Sequence, residues 1–548
     1  MSRKGEGKMK KTKLLLATLI SMFAFTCGVK AVEVNTEEEF INAMNSGEDI
    51  KLTENIEVND DITLDKKVEL DLNGKDIAFA ANKSIVLKGG NLNITGTGTL
   101  YEKSPFYSPI MVKGSDKVED VNYTTLTIGK DVTIKGWAGV FIDQYKGNAK
   151  AYGITVNVNG TAIGMKDTSG YAGAGIYLNG TITDSNNAPV INISGTAKIS
   201  AEGQGIYAAG YGVWTIEEGA SIEGNTGIEI RAGELNVNGG TIIGTAIPTE
   251  TTPNGNGSTT TGAGIAVVQH TTKKAINVNI KNGTIKGYTA FYESNPQKNS
   301  AEDLAAINLN ITGGTFEAIS GGTNSVYSED FTAFITGGTF NSDVVNYIAN
   351  TYVVNENNGT YAVIENKVLE TEDKKVTLES EKALDNTYTL EIEELGKEEK
   401  EEASKKVEET YIDNKEIKDT TLIKIYDIRI MKDREVISIE NGKFTIAIAI
   451  PESDQKYDNY KVVYFDEEGK LVETLDAKLV NGKLVFTTTH LSTYGLVGNN
   501  NIVTEVVPEI IENPKTADIN LALILALLGL SSVGTVLIIT KKLVKENL

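Results

Sequence analysis

Few side chains in this chain have the type and spacing that chemistry demands. Between residues 32 and 364 there is one arginine, Arg231, in the run Glu229 to Gly233, and one histidine, His270, in the run Val268 to Lys273. Neither stands in a catalytic spacing. Arg231 reads as a solvated or paired charge, and His270 as a surface or loop histidine. The carboxylate pairs Asp60-Asp61 and Glu119-Asp120 are sequence neighbours. On a strand, neighbours point to opposite faces, whereas glycosidase carboxylates must converge on one bond. His490 and Ser492 lie close together near the C-terminus. A nucleophile pair would also need an orienting group and an oxyanion site, so both read as structural. The aromatics are the richer signal. Trp137, Tyr145, Tyr152, Tyr171, Tyr177, Tyr207, Tyr211 and Trp214 fall in one stretch. Amphipathic rings suit sugar faces and protein interfaces; the alternative is ring packing along the scaffold or beneath its loops. Nothing implies a cofactor, and a catalytic constellation is not announced.

The segments that must carry these residues repeat. One beat is glycine, apolar, then a third residue, as in Gly139-Val140-Phe141, Gly175-Ile176-Tyr177, Gly205-Ile206-Tyr207, Gly227-Ile228-Glu229 and Gly264-Ile265-Ala266. A second is Ala220 to Gly224, Gly240 to Gly244 and Gly283 to Gly287, continuing at Gly313 to Phe316 and Gly337 to Phe340. A third is an alternating strand: Ile154 to Val158, Ile191 to Ile193, Leu235 to Val237, Ile276 to Ile280 and Ile307 to Ile311. Many equivalent beats recur every 20 to 30 residues or so, a period that signals a solenoid. The units contain only strand and turn, which predicts a right-handed parallel β-helix over 32–364. Inward Ile, Val and Leu should stack coil on coil, with Gly and Asn at corners. The open ends need covering. Thr36 as N-cap with Glu39 at the capping-box position predicts a short helix over the first end. Loops 144–153, 166–174, 246–262 and 293–303 could collect on one binding face.

From Thr36 through Ile56 to Val58 the chain resembles the opening of pectate-lyase-like β-helix domains. The runs Ile311 to Phe316 and Ile335 to Ile348 resemble the closing repeats of surface adhesins with that fold. The resemblance covers roughly residues 36 to 364 and implies the fold. Pectate lyases use calcium, clustered aspartates and an arginine base; polygalacturonases use aspartates with Gly-His-Gly and Arg-x-Lys segments. Neither Arg231 nor His270 sits in such a motif, so the resemblance does not extend to catalysis.

Near Glu365 glycine falls and Glu and Lys rise. Residues 395–411 form a charged, helix-prone run whose i,i+4 Glu and Lys pairs favour a helix; it reads as a solvated helix or tether. Strands are expected at 422–431, 443–450, 460–465, 471–475 and 484–488, with turns at Gly469 and Asn481-Gly482. The fold class is therefore all-β: a β-helix, then a smaller β-sandwich-like domain over 365–498. Residues 486–497 resemble the final strand of small modules that end many bacterial surface proteins. Residues 499–512 read as a linker.

Both termini read as addresses. Residues 1–31 have a basic start, an apolar stretch from Leu14 to Phe25 and a small-x-small end at Ala31, which predicts a secretory signal cleaved before Val32. The only cysteine, Cys27, lies inside it, so the exported chain has no thiol or disulfide. Absence of cysteine is common in Gram-positive surface proteins. At the other end, Ile519 to Ile539 is apolar and is followed by Lys541 and Lys542, which predicts a transmembrane segment over 519–540 with its lysines in the cytoplasm. Just before it stand Asn513, Pro514, Lys515, Thr516 and Ala517. These, within 513–548, resemble a sortase sorting signal of the Leu-Pro-x-Thr-Gly type. Asn513 replaces Leu and Ala517 replaces Gly, so cleavage by analogy falls at Thr516–Ala517. The resemblance implies sortase and peptidoglycan as partners; simple membrane retention is the alternative.

The formal charge of -22 argues against nucleic acid as a partner and allows weak calcium binding. The function expected is a non-enzymatic wall protein, an adhesin presenting its β-helix to a host or neighbouring-cell glycan or protein. The alternatives are a polysaccharide lyase or glycosidase on the same fold, and a structural spacer.

Overall fold

A computed structural model describes residues 31–143, 151–179, 186–248, 262–381, 384, 387–411, 417–438 and 442–501. Short strands run from Ile50–Leu52 to Val326–Ser328 and pair in parallel with every third strand along the chain. They form ten successive coils of three strands, each coil adding one strand to each of three long sheets. This is the right-handed parallel β-helix that the repeats predict.

The three beats are the three sheets. The alternating Ile-Asn-Val strands build sheet one. There Leu126, Val156, Ile191, Trp214, Leu235 and Val278 stand in one register row, all buried. The intervening polar positions face out, and Asn192 Nδ2 donates to Asn157 Oδ1 at 2.9 Å. The glycine–apolar beats build sheet two. Val140, Ile176, Ile206, Ile228 and Ile265 stack inward there. Burying each such side chain stabilises by about 1.5–3 kcal/mol. No coil can close its face alone, so stacking is obligatory. In the same beat, Gly139, Gly175, Gly205 and Gly227 line the corner. A Cβ at Gly175 would lie 2.3 Å from Ile199 Cγ2 of the facing strand, so glycine lets the two sheets approach this closely.

Both ends are covered. The helix Glu37–Ser46 buries Phe40, Ala43 and Met44 over the first coil. Thr36 Oγ1 accepts from the Glu39 N–H at 3.3 Å, as expected of the cap. The Glu39 carboxylate reaches one residue further back than a capping box requires, accepting from Asn35 N–H at 3.0 Å. At the far end the hairpin Tyr352–Asn357 and Thr360–Glu365 continues sheet three with antiparallel strands.

The following strands form one curled antiparallel sheet of ten strands, so the sandwich-like unit is a single continuous ladder folded over its own core. All five expected strands are present, at Ile417–Lys432, Phe444–Ala449, Asn459–Phe465, Leu471–Val480 and Lys483–Thr488. The charged run is a helix, Lys397–Tyr411, but not a free tether. Ala403 and Val407 pack on Leu422, Val463 and Phe465, so one apolar stripe docks an otherwise solvated helix. The last strand, Thr493–Asn501, extends three residues into the expected linker because Asn499 and Asn501 pair with neighbouring strands. Val32 opens the first strand of sheet one, paired with Ile50. Residues 1–30 and the sorting and membrane segments at 513–548 lie outside the described residues. Among the described residues no helix is long and apolar enough to cross a membrane.

Candidate functional site

Sheet two alternates inward and outward, so the residue after each inward aliphatic faces out. Its outward row reads Val86, Met111, Phe141, Tyr177, Tyr207 and Glu229. The rings of Phe141 and Tyr177 stack with centroids 5.0 Å apart and planes at 13°, and Tyr177 and Tyr207 stack at 4.9 Å and 28°. The ladder is the floor of a groove of about 580 Å³. One wall is Trp137, tilted 5.2 Å from Tyr177, with Tyr107 edge-on to Phe141 at 6.0 Å. The other wall is Lys113, Asn179, Ala209 and His270, with Asp61 and Asn82 at the N-terminal end. From Val86 to Tyr207 the floor spans four strand steps, about 19 Å. A floor this long suits an extended ligand.

The stacking decides what the rings offer. Phe141 and Tyr177 bury their faces against each other and present edges to the groove. The walls add the rings of Trp137, half-buried, and Tyr107, 38% exposed. Tyr177 and Tyr207 add phenol groups. Burial pushes both phenols above their ordinary range, so both remain neutral donors.

Beyond Tyr207 the groove floor gives way to a buried ion pair, and the row continues as Ala266, Tyr292 and Tyr327. Glu229 is 0% and Arg231 1% exposed. Arg231 Nη1 lies 3.6 Å from Glu229 Oε1 and donates to Tyr207 Oη at 3.2 Å. Gln204 Nε2 donates to Glu229 Oε2 at 3.1 Å. Arg231 Nε and Nη2 have no hydrogen-bond partner among the described residues. Arg231 is thus paired rather than solvated. His270 is partly exposed in its loop, as expected, but it borders the groove; its Nδ1 accepts from Thr272 N–H at 3.1 Å.

The expected aromatics divide. Trp137, Tyr177 and Tyr207 meet in the groove. Tyr152, Tyr211 and Trp214 do not: they are 4%, 6% and 1% exposed and belong to the core. Trp214 occupies an inward position of sheet one, where only burial is available. Tyr171 is 73% exposed on the 166–174 loop, apart from the groove. Tyr145 lies outside the described residues. Phe141 and Tyr107 are groove residues that the aromatic list missed. Phe141 is legible as the third position of its glycine beat; Tyr107, from a corner loop, has no such signal.

In the second unit, His490 is structural. Its Nδ1 lies 2.9 Å from Tyr494 Oη, its Nε2 3.3 Å from Glu473 Oε2, and Tyr494 Oη meets Thr488 Oγ1 at 2.9 Å. These contacts tie the final strand to its neighbours. Among the described residues no three His, Cys, Asp or Glu side chains gather to hold a metal ion.

Fold and groove together define a parallel β-helix protein with an aromatic surface cleft. No family model and no curated protein matches the chain. Among solved structures it is similar to the enzymatically active domain of tailspike protein 4 of bacteriophage CBA120, at 10% identity and a TM-score of 0.18. The match covers 85% of this chain and 64% of that one, less than two thirds of its length. A score that low carries no argument about function.

Proposed function

We propose that this is a cell-surface binding protein whose β-helix grips an extended glycan in the groove along sheet two. The aromatic groove carries the reading: the wall rings of Trp137 and Tyr107, phenol donors at Tyr177 and Tyr207, and amide groups at Asn82 and Asn179 surround one cleft. Apolar lining with a few convergent polar groups is the usual constitution of a ligand site. Placement outside the cell rests on the export signal at 1–31, cleaved between Ala31 and Val32, and on the sorting-like segment 513–548.

The polysaccharide-active alternative has less support. Asp61 and Glu229 are the carboxylates nearest the two ends of the groove floor. Their strands are six steps apart in sheet two, about 29 Å, whereas glycosidase pairs stand roughly 5–10 Å apart.

Glycan and matrix-protein arrays probed with residues 32–512 test the binding reading. A glycan hit that is lost in Trp137→Ala and kept in Tyr171→Ala supports it. Uniformly empty arrays point instead to a structural spacer, and product release from a bound polysaccharide to the enzyme. The anchor is tested separately by mass spectrometry of muramidase-released protein. Thr516 joined to a peptidoglycan peptide supports sorting; an intact tail ending at Leu548 refutes it.

A further inference from the structure

Glu102 ends the strand Gly98–Glu102, at an inward register position that later coils fill with small residues. Gly136 pairs beside it, and Gly164, Ala201, Gly224 and Gly244 follow. In the coils of Gly136 and Gly224 a single residue turns the chain from sheet three to sheet two: Trp137 between Gly136 and Ala138, and Asn225 between Gly224 and Thr226. After Glu102 the corner is instead the loop 103–109, which carries Phe106 and Tyr107. A loop of this kind leaves backbone N–H groups without a strand partner, and each needs an acceptor.

Glu102 supplies it. The side chain is 4% exposed; its carboxylate accepts from Phe106 N–H at 3.1 Å and Tyr107 N–H at 3.3 Å, and the Trp137 backbone N–H faces it from the next coil. The acceptor therefore links both sources of the aromatic wall, the loop bearing Tyr107 and the corner bearing Trp137. The neighbouring coil makes room for it: a Cβ at Gly136 would stand 3.2 Å from Glu102 Oε2 and 2.8 Å from Pro109 Cδ. We infer that Glu102 is the positioning residue of the groove, a buried carboxylate that sets Tyr107 and Trp137 against the aromatic ladder and so fixes the width of the cleft.

This rests on the groove being the binding site, but its geometry makes a separate claim. Burial holds the Glu102 carboxyl above its ordinary range, against the lowering effect of the three N–H groups that face it. Flanking charges are exposed: Lys103, which pairs with Glu57 at 2.5 Å, and Lys135. An acid whose pKa is raised in the closed wall binds its proton more tightly there than in an opened one. Closure is then fullest below the ordinary carboxylate range and is lost as pH rises through the raised value.

Hydrogen exchange on the full-length chain tests this. In Glu102→Ala, protection of the Phe106, Tyr107 and Trp137 amides should fall about tenfold or more, the loss expected when buried N–H groups lose their acceptor, while amides of Thr226–Ile230 stay unchanged. Glu102→Gln, which keeps the shape and one acceptor, should restore part of the protection and flatten its pH profile. Unchanged protection in the alanine variant, or an unaltered pH profile in the glutamine variant, overturns the inference. If protection falls as expected while array binding by the same variant equals wild type, Glu102 positions the wall but the groove is not the binding site.

Discussion

Removing the Arg231 guanidinium should expose how much the groove end depends on its buried ion pair. In Arg231→Met the aliphatic volume is kept, but Glu229 stays fully buried without the cation 3.6 Å away. Breaking one side of a buried pair costs about 3–5 kcal/mol. Glu229 keeps the Gln204 amide at 3.1 Å, which places the cost near the lower end, about 3 kcal/mol. The pair itself is poorly satisfied. Two guanidinium N–H groups, Nε and Nη2, have no hydrogen-bond partner among the described residues, and each buried unsatisfied donor costs about 1–3 kcal/mol. The double variant Glu229→Gln, Arg231→Met should therefore recover most of the loss, ending within about 1 kcal/mol of wild type. Urea unfolding followed by circular dichroism and by tryptophan emission measures both. Trp214 is 1% exposed on a strand paired with Gly233–Val237, which begins two residues after Arg231, and so reports on this coil. A single variant within experimental error of wild type, or a double variant as unstable as the single, would refute the reasoning.

Ile206→Ala opens a cavity in the inward row of sheet two between Ile176 and Ile228 and should cost about 2–5 kcal/mol, seen as a lower urea midpoint. Gly173→Ala would put a Cβ 1.6 Å from the Trp137 carbonyl oxygen. It should destabilise by about 1–3 kcal/mol and shift Trp137 emission in the folded state, whereas Gly170→Ala, strained at its φ of 88° but with open space around it, should leave that emission unchanged. Thr36→Ala removes the side-chain acceptor of the end-capping helix. It should cost about 1 kcal/mol, with faster hydrogen exchange confined to Glu37–Ser46.

The fold was largely legible because a solenoid writes its architecture as a period. Ile206 and Ile228 occupy equivalent places in successive coils, and their 22-residue separation by itself implies stacking. The end helix was legible from Thr36 and Glu39 because capping is local. The helix at 397–411 was legible as a helix, yet its docking was not: Ala403 and Val407 are too few to read as a stripe until the sheet beneath them exists.

The site was half legible. The sequence places an aromatic after Ile176 and after Ile206, and register then requires Tyr177 and Tyr207 to stack. It could not separate them from Tyr152, Tyr211 and Trp214, because residue type does not reveal which side of a strand faces the core. Nor could it pair Glu102 with Trp137, 35 positions away, since one coil sits on the next only after folding. The chain alone therefore determined the repeat, the strands and the apolar rows, all set by local spacing. Tertiary structure decided which rings remain at the surface, which charges are buried, and that one carboxylate holds two segments of one groove wall. Those depend on distances between coils, which no local spacing contains.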